Sequence, residues 1–138
     1  MKKISIKGVL IGAIVDIVST NILMIPLIIY VLVSNDFINL PKVDMLKTLQ
    51  AFMKTDQMVH IVQILLGSLA SILGGYIAAK IAKHDALLNG ALSSIFCVMF
   101  GLYAFTIGSF EDNYIKHILI LLSSPILGLI GGYFYSRK

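Results

Sequence analysis

Charge is what this chain most lacks. Only 13% of its 138 residues are Asp, Glu, Lys or Arg, about half the share usual in a soluble domain, which excludes an ordinary water-exposed fold. A single cysteine, Cys97, excludes an intrachain disulfide and a thiolate metal cluster. Inside an apolar run it reads as a small packing residue. There is no G-x-S-x-G elbow, P-loop, dinucleotide fingerprint or H-E-x-x-H. Intramembrane hydrolysis needs two acids, or a nucleophile and a base, within the bilayer, and Asp16 is the one acid set well inside an apolar stretch. Neither an enzyme nor a cofactor is expected.

What is present is hydrocarbon. Hydrophobic residues make up 58% of the chain and the mean hydropathy is +0.93. Apolar stretches at about 8–33, 58–79, 86–110 and 115–135 each meet the requirement of about 20 residues for crossing roughly 30 Å of hydrocarbon. They predict an all-α membrane protein of four transmembrane helices in a single domain, 1–138. The opening MKKISIKGVLIGAIVDIVS has the charge of a signal peptide. Its apolar run continues to Val33 without an A-x-A site, however, beyond the roughly 7–15 residues of an h-region, so a retained span is expected. Lys2, Lys3 and Lys7, then Lys80 and Lys83, then Arg137 and Lys138 all fall on one side of such a topology. The positive-inside rule makes that side cytoplasmic, with both termini inside. The net charge of +4 is thereby accounted for by topology, with no nucleic-acid partner.

Two ladders of small residues run through the apolar stretches: Gly67, Ser71, Gly75, Ala79 and Ser124, Gly128, Gly132, Ser136. Small residues at every fourth position let membrane helices approach backbone to backbone. The ladders align at an offset of 57, with His60-Ile61 on His117-Ile118 and Gly74-Gly75-Tyr76 on Gly131-Gly132-Tyr133. At an offset of 78, Gly8, Gly12, Asp16 and Thr20 align with Ala86, Gly90, Ser94 and Val98. The pattern predicts two duplicated hairpins in a parallel repeat about an axis along the membrane normal. The ladders serve either packing within the chain or association with a second copy or another membrane protein.

The offsets place extra residues in the first outer loop, 34–57. There Val43, Leu46, Leu49, Phe52 and Met53 recur at helical spacing after Asn39-Leu40-Pro41. A short amphipathic helix lying at the outer interface is expected, either capping the bundle or offering a lid or docking surface. The links at Lys80 to Asp85 and Phe110 to Tyr114 are short, so spans two to four form an up-down meander.

Asp16 is the residue that needs a reason, because a carboxylate at depth costs about 2.5–3.5 kcal/mol on insertion scales. Ser19, Thr20, Ser94, a snorkelling lysine, water or a proton would offset it. Pro26 removes a helical donor from the carbonyl of Ile22, and a kink there would leave Thr20, Asn21 and that carbonyl as a polar patch. Broken helices with acidic and amide groups at mid-membrane form ion and solute sites in transporters. Asp16, Thr20, Asn21 and Ser94 are therefore the candidate site, with interhelical glue as the alternative. His60 and His117, with Glu111, Asp112 and Asp56 nearby in sequence, are weak candidates for a metal or proton sensor. The alternative is headgroup anchoring, and no metal is expected.

The segment LGSLASILGGYIAAKIAKHDALLNGALSS, Leu66 to Ser94, combines a Gly-Gly-Tyr helix end, a short basic turn and an Asn-Gly-Ala restart. It resembles a stretch found in small four-span bacterial inner-membrane proteins, which implies that membrane as the location and carries no activity. Four spans with an acid in the first are also similar in layout to the small multidrug resistance transporters. There the acid is glutamate among aromatics; this chain has aspartate, no tryptophan and a longer first outer loop, so drug export does not carry over. The expected function is a self-associating membrane protein that moves a small ion or solute through Asp16. The rival is a non-transporting accessory, assembly or immunity protein.

Overall fold

A computed structural model describes residues 4–107 and 114–137, and within them all side chains except those of 100, 101, 104–107, 114–117, 120 and 121. Among the described residues the chain is all helical: α1 (Ile6–Ser34), a 3-10 turn (Phe37–Asn39), α2 (Lys42–Thr55), α3 (Gln57–Ala82), α4 (Ala86–Ile107) and α5 (Tyr114–Ser136). The predicted stretches 8–33, 58–79, 86–110 and 115–135 fall on α1, α3, α4 and α5, though 108–110 lies outside the described residues.

α1 has 29 residues and α3 has 26, or about 43 and 39 Å at 1.5 Å per residue. Both are long and apolar enough to cross a membrane. Only 6% and 28% of their most apolar windows are buried within the chain, whereas the core helix of a soluble protein hides most of its surface. Helices apolar on all sides belong either in a core or in lipid. In lipid the helix is imposed by the backbone, whose donors and acceptors find no water. α1 passes through Pro26 as one continuous helix.

The contacts divide the chain into two compact units, Met1–Ser19 with Ser68–Lys138, and Thr20–Gly67. In the second unit, Val31 of α1, Leu49 of α2 and Val59 of α3 form a buried core. Leu27, Ile28, Leu32, Phe37, Phe52 and Met53 pack around it, with Phe37 and Phe52 edge to face at 5.7 Å. The amphipathic pattern of α2 is thus half used: Leu49, Phe52 and Met53 turn inward, while Val43 and Leu46 are exposed. Asp56 then starts α3 as its cap, accepting a hydrogen bond at 2.8 Å on Oδ1 from the Val59 amide.

In the first unit the helices meet at glycines. A Cβ on Gly8 would lie 2.8 Å from the Ala78 carbonyl oxygen, and one on Gly12 2.7 Å from that of Gly74; these seal α1 against α3. A Cβ on Gly75 would lie 2.7 Å from the Gly128 Cα, sealing α3 against α5. Gly90 approaches Gly132 across the α4/α5 seam, and Gly12 meets Ser93 across α1/α4. Every one of these approaches leaves no room for a methyl group. At one end, the fully buried Asn89 accepts from the Ser5 amide at 2.7 Å and donates to the His84 and Asp85 carbonyls at 3.0 and 3.1 Å. It ties the start of α1 to the α3–α4 turn, where Lys83 and Asp85 hold positive φ of 59° and 42°.

Candidate functional site

The close seams of the first unit enclose a polar cluster. Asp16 on α1 is only 3% exposed. Its backbone lies against Gly74: a Cβ on that glycine would stand 2.7 Å from the Asp16 Cβ, so the absence of a side chain at 74 makes the space that the aspartate fills. The Ser71 hydroxyl, on α3, donates to Asp16 Oδ1 at 3.2 Å. The Cys97 thiol, on α4, donates to Oδ2 at 3.1 Å. The Ser71 and Ser124 hydroxyls stand 3.5 Å apart, the outer limit for such a bond, and bring in α5. The carboxylate thus links three helices directly, and Ser71 extends the cluster to the fourth.

Ser94 is also fully buried, and its Oγ has no hydrogen-bond partner among the described residues. It faces α5 at Gly128, where an added Cβ would collide with it. Offsets of 78 and 57 carry Asp16 onto Ser94 and Ser71 onto Gly128. Under the repeat expected from the sequence, the Asp16–Ser71 hydrogen bond and the Ser94–Gly128 contact would occupy matching places. In the second place the partner is a glycine because Gly128 must also pass Gly75 and Gly90 at backbone distance. That requirement leaves the Ser94 hydroxyl unpaired.

Of the expected site residues, Asp16 and Ser94 lie in this unit, while Thr20 and Asn21 belong to the other. Thr20 is half-buried and Asn21 exposed. Sequence reasoning missed Cys97 as a polar partner. Its signal was weak: a thiol in an apolar run looks like any small packing residue. Ser71 and Ser124 were legible only as rungs of the ladders.

The other rungs also have places. Gly8, Gly12, Gly75, Gly128 and Gly132 all face backbone or side-chain atoms within the first unit, and Ala79 is fully buried. The Ser136 hydroxyl bonds to the carbonyl of Tyr133 at 2.8 Å. Gly67 differs from these, with nothing among the described residues within 4 Å of the Cβ position.

His60 is in the second unit, its amide bonded to the Asp56 carbonyl at 3.0 Å and its buried Nε2 without a partner among the described residues. The side chain of His117, together with Glu111 and Asp112, lies outside the described residues. Asp56 is engaged as the helix cap. Among the described residues, no three His, Cys, Asp or Glu side chains gather where they would hold a metal. No protein-family model, curated protein or solved structure matches this chain.

Proposed function

We propose that this chain is a bacterial inner-membrane protein of four spans, built from two duplicated hairpins with both termini cytoplasmic, that moves a small ion or solute through the site at Asp16. The observation that carries the reading is the buried carboxylate itself, engaged on both oxygens by side chains from two other helices. An acid at such depth is a functional site by default. The unpaired Ser94 hydroxyl supports it, since a buried polar atom without a partner costs about 1–3 kcal/mol and is retained at ligand contacts. The matched places of Asp16–Ser71 and Ser94–Gly128 support the duplication.

The test is flux in reconstituted vesicles, read with a pH dye and with sodium- and potassium-sensitive dyes. The full chain should dissipate an imposed gradient faster than empty vesicles, and Asp16→Asn, checked for helical content, should not. Rates equal to those of empty vesicles for every probe overturn the reading.

Gly67 supports a second reading, association through α3 with another copy or another membrane protein, because among the described residues nothing lies within 4 Å of its Cβ position while the other ladder glycines are filled from within. Native mass spectrometry from gently extracted membranes separates the two readings. A homo-oligomer favours transport, and a stoichiometric foreign protein favours an accessory, assembly or immunity role.

A further inference from the structure

We propose that an anionic diacyl phospholipid binds at the basic end of the first unit, with one acyl chain in a groove between α1 and α4 and its phosphate beside Lys7; this rests on the reading of the chain as membrane-spanning and not on transport. The groove lies wholly within that unit, has a volume of about 230 Å³ and, among the described residues, is lined by apolar side chains alone. Val9 is buried at its base beside Leu92, while Ile6 and Leu10 of α1 and Ile95 and Phe96 of α4 stand exposed along it. Its walls are fixed from behind: a Cβ on Gly12 would lie 3.0 Å from the Ser93 Cβ, and Asn89 of α4 holds the Ser5 amide at 2.7 Å. Lining atoms without a neighbour forfeit their dispersion contacts, so a groove that cannot close is filled from outside. In a bilayer a chain of methylenes fills it.

Charge selects which lipid. The basic end gathers the start of α1, the α3–α4 turn and the end of α5. Asn89 joins Ser5 to the His84 carbonyl, Gly132 packs on Ala86, and Tyr76 meets Tyr135 edge to face at 5.8 Å. Residues 1–15, 76–92 and 130–138 hold seven Lys or Arg against one acid, Asp85. Lys7 is exposed and shares the first turns of α1 with Ile6, Val9 and Leu10. A lysine near a helix end snorkels to the interface, which puts this ammonium at headgroup level over the groove. Topology accounts for an excess of cations, but not for an apolar groove beside one of them. A second copy or a zwitterionic lipid would fill the groove without using Lys7; an anionic phospholipid uses both.

The chain has no tryptophan, so a single introduced one reports on its own surroundings. Phe96→Trp sets the reporter on the groove, and Phe134→Trp sets it on α5 at the same basic end, near Arg137; both replace one exposed aromatic by another. The full chain with either reporter is placed in phosphatidylcholine vesicles that contain phosphatidylglycerol or phosphatidylethanolamine with brominated chains, and quenching gives the relative affinity for each. The preference for phosphatidylglycerol should be about fivefold larger at the Phe96→Trp reporter than at the Phe134→Trp one, the equivalent of the ~1 kcal/mol that one basic residue contributes near anionic headgroups. Lys7→Gln should remove that excess, and Lys47→Gln, in α2, should leave it. Ile95→Trp reads the same groove if Phe96→Trp does not fold. Equal preference at both reporters, or an excess that survives Lys7→Gln, overturns the proposal. Quenching of the Phe134→Trp reporter alone also overturns it and gives the groove to a second copy or another protein. No quenching of either reporter removes the membrane-spanning reading together with the site, whereas absent flux with the excess intact removes the transport reading and leaves the lipid site.

Discussion

Replacing single ladder glycines by alanine should separate rungs that look identical in sequence. At Gly75 a Cβ would stand 2.7 Å from the Gly128 Cα and 2.8 Å from its carbonyl carbon. Carbon atoms pack best at about 3.5–4.0 Å, so α3 and α5 must part by roughly 0.8 Å. A gap of about 0.5–1 Å forfeits a quarter to a half of the dispersion energy of the atoms that line it. Neither neighbour yields easily, since both are backbone. Overpacking of this kind costs about 1–3 kcal/mol, and Gly75→Ala and Gly128→Ala should each lose that much. At Gly67 the same methyl meets nothing within 4 Å among the described residues, and alanine gains up to about 1 kcal/mol of helix propensity; Gly67→Ala should be neutral or stabilising. Unfolding of the purified monomer, titrated with denaturing detergent and followed by circular dichroism, measures the difference. A loss at Gly67 as large as that at Gly75 would refute the reasoning, as would indifference at all three.

Asn89→Ala should destabilise by about 1–3 kcal/mol, because it removes the side-chain acceptor of the Ser5 amide and the side-chain donor to the His84 carbonyl; hydrogen exchange at the Ser5 amide should rise with it. Lys83→Gly should stabilise by about 0.5–1 kcal/mol in the same titration, since a φ of 59° strains a side-chain-bearing residue by more than the entropy glycine costs. Ser94→Ala should fold at least as well as the parent by removing a buried hydroxyl without a partner, while slowing any flux that uses that hydroxyl.

The helices were legible because spans are written in hydropathy, a one-dimensional property, and their expected limits fall within a few residues of α1, α3, α4 and α5. α2 was legible from its period, but not which part of its face would be used: Leu49 and Val43 carry the same signal, and only tertiary contact sends one inward. Pro26 did not mark a helix end, because a proline removes one hydrogen bond, which a long apolar helix tolerates. At the site, Asp16 announced itself by its cost. Its partners did not, because the register of α3 and α5 follows seam geometry: Ser71 meets Ser124 and Gly75 meets Gly128, one rung away from the sequence alignment at an offset of 57.

Magnitudes decide between glue and site for Asp16. Interhelical hydrogen bonds in membranes average about 0.6 kcal/mol, so the contacts to Ser71 and Cys97, at 3.2 and 3.1 Å, together return about 1.2 kcal/mol. The ionised acid costs about 2.5–3.5 kcal/mol at depth, more than these two contacts return. An asparagine would accept from one of these groups and donate its amide hydrogen to the other, since hydroxyl and thiol can both accept, without the charge. Asp16→Asn should therefore be neutral or raise stability by about 1 kcal/mol in the detergent titration, while abolishing transport. A loss of stability of more than about 1 kcal/mol would show that the carboxylate serves to hold the helices together. If the gain is observed, the acid is kept at a thermodynamic cost, and a group kept on those terms acts by its charge.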